Sequence, residues 1–259
     1  MSIFQFVNDV KSGKIDIVKN TKSIIEEAKN ANKECNCFNT ICNKNALERA
    51  EEIKKNPKGK LSGLPISVKD NICVKGIEST AGSKILSNYK PLFNAAVIDN
   101  LEKEGAIVIG KTSQDEFGFG GFSINTGKDF KTPKNPIDND RVAGGSSGGS
   151  AGFTAITNHV HVSIAESTGG SIVNPASFCG VIGICPTYGL LSRYGLIDYA
   201  NSLDKIGIMA KNIEDIEIVL DVVMGHDEKD STSLNMPLKD KNIKKIAIIK
   251  ESLDVDPEI

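Results

Sequence analysis

The sequence predicts an α/β protein, a mixed central sheet flanked by helices, with a helical region in front of it. Three observations carry this. From Leu61 onward, short β-branched runs (PISV, ICVKG, AIVIG, VHVSIA and CGVIGI) alternate with glycine-rich turns and helix-like stretches, as in a sheet layered with helices. Ahead of them, SIIEEAKN and ALERAEEIKK repeat apolar residues at helical spacing with charges on the other faces. The composition, 39% hydrophobic and 25% charged over 259 residues, is that of an ordinary globular protein able to bury about three quarters of its unfolded surface. The expected division is a helical region at residues 1–60 and a sheet-bearing core at 61–259.

Individual elements follow from local signals. A helix is expected at residues 95–104 (AAVIDNLEKE), with Asn94 as N-cap and Gly105 at its stop. Another is expected from about Ile213 to Met224, where Ile213, Ile216, Leu220 and Val223 share one face and Gly225 ends the helix. Residues 226–243 form a polar, linker-like stretch leading to a last expected strand, KKIAIIK.

Composition also excludes function classes. Lys and Arg number 31 against 33 Asp and Glu, a formal charge of -2, so nothing global attracts nucleic acid or an anionic membrane. No apolar run approaches the roughly 18–20 residues that span a bilayer, and MSIFQFVNDVKSGK lacks a signal-peptide core. The expected location is the cytoplasm. The six cysteines (Cys35, Cys37, Cys42, Cys73, Cys179 and Cys185) are therefore expected to be reduced. The first three lack paired metal-ligand spacing and have no histidine near them in sequence, so no metal site is expected; Cys179 and Cys185 read as core.

Three familiar patterns fail on context. GAIVIGKT at residues 105–112 has P-loop spacing, but Gly105 ends a helix and Ala106 to Ile109 form a strand-like run rather than a phosphate-cradling turn. GGSSGGS at 144–150 contains two overlapping G-x-S-x-G matches, yet the histidines that follow suit no hydrolase triad order: His159 and His161 come too soon and His226 lies in a polar segment. SLDK at 202–205 lacks the companion motifs of the penicillin-recognising enzymes.

What remains is LPISVKDNI at 64–72, AGGSSGGSAG at 143–152 and ESTGGSIVNPASFCGVIG at 166–183. A lysine buried beside an apolar strand can lose its proton to desolvation and become a base, and Lys69 is placed for that. A serine nucleophile needs such a base, and a second serine can relay the proton between them. The Thr168-Gly169-Gly170-Ser171 turn can gather backbone N–H groups on an oxyanion.

On these residues the sequence resembles the amidase signature family. SVKDN at 67–71, GGSSGGSA at 144–151, TGGSI at 168–172 and PASFCG at 175–180 follow the family's order. PTYGLLSRYGLIDYANSLDKIG at 186–207 is similar, within that family, to the A subunits of glutamyl-tRNA(Gln)/aspartyl-tRNA(Asn) amidotransferases, and ESTGGS resembles their archaeal form. The resemblance implies a Ser-cisSer-Lys triad: Lys69 as base, Ser171 as acyl-forming nucleophile, Ser146 as the bridging serine after a cis peptide bond. It implies an oxyanion hole from the backbone N–H groups of Thr168, Gly169, Gly170 and Ser171. The implied activity is hydrolysis of glutamine, whose ammonia passes to a B subunit, braced by a small C subunit, that amidates mischarged tRNA. ATP and magnesium belong to that partner; no cofactor is expected in this chain, and no membrane contact.

The chain departs from the common family form at Ser167 and Val173, where aspartate and arginine are usual, and in the 25-residue interval from Ser146 to Ser171, about one residue longer than expected. The resemblance covers the whole chain but about the first half to three fifths of the family domain. A fragment lacking the C-terminal part of the domain, and with it part of the glutamine pocket, is expected. Two other functions stay open on the same residues: a stand-alone amidase for small amides, and a non-catalytic scaffold.

Overall fold

A computed structural model describes residues 1–235, 245, 247–250 and 254 of the chain. Helices α1 (Ile3–Lys11) and α2 (Ile17–Cys35) come first; Ser2 and Asp16 cap them, accepting hydrogen bonds from the N–H groups of Gln5 and of Val18 and Lys19. Each helix buries an apolar stripe: Ile3, Phe6, Val7 and Val10 on α1; Ile17, Val18, Ile24, Ile25 and Ala28 on α2. Between α2 and α3 (Asn43–Lys55) the structure places a strand, β1 (Phe38–Ile41), inside the region expected to be helical. Its four residues show no two-residue alternation, so periodicity could not flag it.

The sheet has the order β1-β3-β2-β4-β6-β5, with β2 (Pro65–Lys69), β3 (Ile107–Thr112) and β4 (Val162–Ser167) mutually parallel at its centre. The outer strands β1, β6 (Lys205–Ala210) and β5 (Ile182–Ile184) run antiparallel to their neighbours. Every residue of β2, β3 and β4 is buried, as expected of parallel strands covered on both faces.

One face, carrying Ile66, Val68, Val108, Val162 and Ile164, joins the largest core cluster with α1, α3, α4 (Ala96–Lys103) and α7 (Ile213–Val223). The other receives α5 (Gly148–Ile156), a nearly wholly buried helix built on small residues. A Cβ at Gly149 would lie 2.4 Å from the Cys37 carbonyl oxygen, so only glycine lets α5 approach this closely. The short α6 (Val173–Phe178) completes the described helices.

The structure corrects several expectations. ICVKG is not a strand; Ile72 makes one isolated bridge to Leu196. The helix expected at 95–104 begins after Ala95, and Asn94 does not cap it: its amide nitrogen donates to Asp99 and Glu102, and its oxygen accepts from Lys75 N–H. The stop at Gly105, with φ +96°, is as read. On α7, Ile216, Val219 and Val223 are buried but Ile213 is exposed, because the first turn is tied down by Asn212 and Asp215 instead. The strand expected at KKIAIIK lies in part outside the described residues. All six cysteines are free thiols; five are buried, while Cys185, expected in the core, is partly exposed. Among the described residues no helix is long and apolar enough to cross a membrane.

Candidate active site

Lys69 is the last residue of β2, and Ser67 and Lys69 point to the α5 side while Ile66 and Val68 enter the main core. The site therefore opens at the carboxyl ends of three parallel strands, where such sheets place their ligands. Lys69 is completely buried, and its amine reaches three oxygens: Ser146 Oγ at 2.7 Å, Glu166 Oε2 at 2.9 Å and the Glu166 carbonyl oxygen at 3.1 Å. The sequence anticipates a buried lysine but not its carboxylate partner. Glu166 is itself 1% exposed and also accepts from Asn71 Nδ2 at 3.1 Å. A single acid at the end of the uncharged stretch VSIA was the available signal.

Ser146 lies just before α5. The Gly145–Ser146 peptide bond is cis. Helix α5 takes Ser147, not Ser146, at its N-cap position, and the Ser147 hydroxyl donates to the Glu166 carbonyl oxygen at 3.1 Å. Ser146 is thus free of capping, with its hydroxyl turned to Lys69. The segment leading into it is held from two sides. The Asp115 N–H donates to the Ser146 carbonyl oxygen at 3.2 Å. The Gly145 N–H donates to Asn174 Oδ1 at 3.3 Å, and Gly144, at φ +73°, leaves 2.6 Å between that oxygen and an added Cβ. These contacts seat residues 144–146 against the 170–174 turn, which carries Ser171.

Ser171 is buried to 7% exposure, whereas Gly169 and Gly170 are exposed, and a Cβ built on Gly169 would meet open space. Among the described residues, none of the backbone N–H groups of Thr168, Gly169, Gly170 and Ser171 donates a hydrogen bond. Four unspent donors beside a buried hydroxyl can receive a developing negative charge. The Thr168 hydroxyl sits 3.0 Å from Glu166 Oε1 and 2.6 Å from Asp204 Oδ1. Gly118 packs over the centre: a Cβ there would come within 3.6 Å of Glu166 Oε2 and 3.7 Å of Ser146 Oγ. Phe119 and Tyr199, stacked edge-on at 4.1 Å, flank it as partly exposed aromatics that no sequence pattern singles out.

The other patterns resolve as structure. Lys111, the lysine of the P-loop-like stretch, ends in β3 with its side chain wholly buried. Ser202 and Lys205 of SLDK fall in a turn and at the start of β6, with Lys205 Nζ donating to the Leu203 carbonyl oxygen.

The fold and this polar centre define a class, a mixed α/β protein with a serine- and lysine-bearing site at the carboxyl ends of parallel strands. The chain belongs to the amidase family, whose description matches residues 19–259. Within it, the chain is 48% identical to the A subunit of a glutamyl-tRNA(Gln) amidotransferase from Archaeoglobus fulgidus, over 90% of this chain and 50% of that protein. It is 42% identical to the A subunit of the Gloeobacter violaceus glutamyl-tRNA(Gln) amidotransferase, over 100% of this chain and 55% of that one. Among solved structures, the A subunit of the glutamyl-tRNA(Gln) amidotransferase of Thermotoga maritima superposes with a TM-score of 0.72 at 36% identity, covering 85% of this chain and 47% of its own. Native peptide amidase of Stenotrophomonas maltophilia gives 0.82 at 29%, covering 92% and 51%. The chain spans about half the length of the relatives it matches.

Proposed function

We propose that this chain carries the amide-hydrolysing centre of a tRNA-dependent amidotransferase, acting on glutamine. The observation that supports it most is the buried 2.7 Å contact between Lys69 Nζ and Ser146 Oγ, next to the turn that bears Ser171. Lys69 in its amine form draws a proton through the Ser146 hydroxyl from Ser171, whose oxygen attacks the side-chain amide carbon of glutamine. The N–H groups of residues 168–171 hold the oxyanion. The proton returns through Ser146 to the leaving nitrogen, ammonia departs, and water repeats the attack on the acyl-serine. Ammonia then passes to a B subunit that uses ATP and magnesium to amidate mischarged tRNA, with a C subunit bracing the pair; this chain itself holds no cofactor. The net charge of -2 agrees with tRNA being gripped mainly by the partner.

The test is ammonia release from glutamine by the chain co-expressed with candidate B and C subunits, beside Ser171→Ala and Lys69→Ala. Release that both substitutions abolish is the expected result. No release from folded, assembled protein would favour a non-catalytic scaffold. Release from simple amides without partners would favour a free-standing amidase, the reading to which the likeness to peptide amidase points.

A further inference from the structure

We infer that Asp115 is a positioning residue for Ser146, fixing where that hydroxyl meets Lys69; this rests on the proposed role of Ser146 as the proton relay. Asp115 is fully buried, and its own N–H donates to the Ser146 carbonyl oxygen at 3.2 Å. Its side chain gathers the far end of the loop at 116–125: Oδ2 accepts from the Ser123 N–H at 3.0 Å and Oδ1 from the Asn125 N–H at 2.8 Å. One residue thus holds Ser146 by its backbone and the loop by its carboxyl group.

Packing confines that carboxyl group closely. A Cβ on Gly120 would lie 2.3 Å from Asp115 Cγ, and a Cβ on Gly145, the residue before Ser146, 2.5 Å from Asp115 Oδ2. Neither glycine has a left-handed φ, so close approach to Asp115, and not backbone conformation, is what each allows. The loop then returns to the same segment. Ser123 Oγ accepts from the Gly148 N–H at 3.0 Å at the start of α5, and Gly118 backs the Ser146 hydroxyl. Within the loop, Phe117 (φ +50°) and Ser123 (φ +57°) hold left-handed backbone, which residues other than glycine keep only where their surroundings fix it. At Ser123 the Asp115 carboxyl group does the fixing.

Both carboxyl oxygens face backbone N–H donors. In Asp115→Asn the amide NH2 must therefore oppose one of them, whichever way the side chain is turned. Gly120→Ala reaches the same contact from outside, by driving a methyl group into the Asp115 carboxyl group. Ser83 anchors the start of the same loop, its hydroxyl donating to Glu116 Oε1 at 2.6 Å, and among the described residues it makes no hydrogen bond to residues 144–148.

Fluorophosphonate labelling of Ser171, followed against reagent concentration on the full chain and counted per folded molecule, separates a displaced relay from a weakened fold. The limiting rate should fall by about tenfold to a hundredfold in Asp115→Asn and in Gly120→Ala, the range that a misplaced catalytic group produces. The concentration giving half that rate should stay within about twofold of wild type, as should both constants in Ser83→Ala. Unchanged limiting rates in both variants, or an equal fall in Ser83→Ala, would overturn the inference. Hydrogen exchange on the wild type needs no variant to fold: the Ser123 and Asn125 amides should exchange at least about a hundredfold more slowly than free amides, and free exchange at both would overturn it as well. Wild-type Ser171 that never labels, with those two amides protected and then released in Asp115→Asn, would instead sink the proposed reaction and leave Asp115 as the anchor of the Ser146 segment.

Discussion

Two buried lysines end neighbouring strands, and they differ in what lies beyond them. Lys69 closes β2 and Lys111 sits one residue before the end of β3, paired in register with Val68. Both side chains are fully buried, each faces a carboxylate (Glu166 at 2.9 Å, Asp70 at 3.5 Å) and each donates to a serine hydroxyl (Ser146 at 2.7 Å, Ser79 at 2.6 Å). The inventories are nearly the same. Yet the Ser79 hydroxyl donates a hydrogen bond to the Ile77 carbonyl oxygen, and Asp70 is enclosed by Asn39, Thr80 and the Gly82 N–H. Ser146 borders instead the turn whose glycines open to solvent and whose N–H groups are unspent. A lysine, a carboxylate and a serine in contact are common to both places; the open glycines and the unspent N–H donors lie beside Ser146 alone. Burial pushes the Lys111 ammonium toward losing its proton, while Asp70, Cys73 and Cys42 oppose this.

The strongest way to break this comparison is to remove each lysine and measure the same reaction. Lys69→Met should slow fluorophosphonate labelling of Ser171 by about a thousandfold, the scale of a lost general base, whereas Lys111→Met should leave the rate per folded molecule within about twofold. Rates must be normalised to folded protein, since each variant leaves a carboxylate unpaired. Equal losses in both would mean that the two lysines serve one network after all.

Stability sharpens the contrast. Lys111→Met strands Asp70 in a fully buried site, and urea unfolding should show a loss of about 3–5 kcal/mol, the usual result of removing one member of a buried pair. Adding Asp70→Leu should recover a large part of it, because the penalty belongs to the orphaned charge rather than to the missing contact. If the double variant proves no more stable than Lys111→Met, the surrounding donors from Asn39 and Thr80, and not the charge pair, hold this region together.

Much of this difference was hidden in the sequence. Strands β2, β3 and β4 were legible as the short β-branched runs PISV, AIVIG and VHVSIA bounded by turns, Lys69 as a lysine at the end of an apolar run, and the Ser146 and Ser171 segments by their glycine and serine density. Glu166 stands there only as one letter of a motif. Its place beside Lys69 depends on the register of β2 against β4, with Val68 opposite Ile164, which no local pattern encodes. β1 was missed for the opposite reason: four residues of mixed burial give no period, and its pairing with β3 is a tertiary fact. Asn94 shows competition at a helix start, since an asparagine suited to capping is taken by Asp99, Glu102 and Lys75 instead.

The smallest effect concerns the polar chain below Lys69 on the α5 face, which carries no charge pair at all. His161 Nε2 lies 3.1 Å from Ser67 Oγ, which meets Ser163 Oγ at 2.6 Å, which in turn meets Thr154 Oγ1 at 2.8 Å, while Phe153 packs edge-on against the ring. Burial first, and then the charges of Lys211 and His159, push the imidazole down to about 3 from an ordinary 6.5. The folded state therefore holds this histidine neutral where the unfolded chain would protonate it. Stability from this source is fully present above pH 6.5 and is lost as pH falls from there toward about 3. Between pH 6.5 and 5 the unfolded state gains about 1.5 kcal/mol from binding that proton. His161→Gln removes the titration, so its stability relative to wild type should improve by about that amount over the same interval, measured by urea unfolding at each pH. Carboxylates common to both proteins cancel in the difference. A constant difference would mean that the imidazole takes its proton in the folded state, and the contrast between the lysine–carboxylate layer at Lys69 and a neutral layer beneath it would fall.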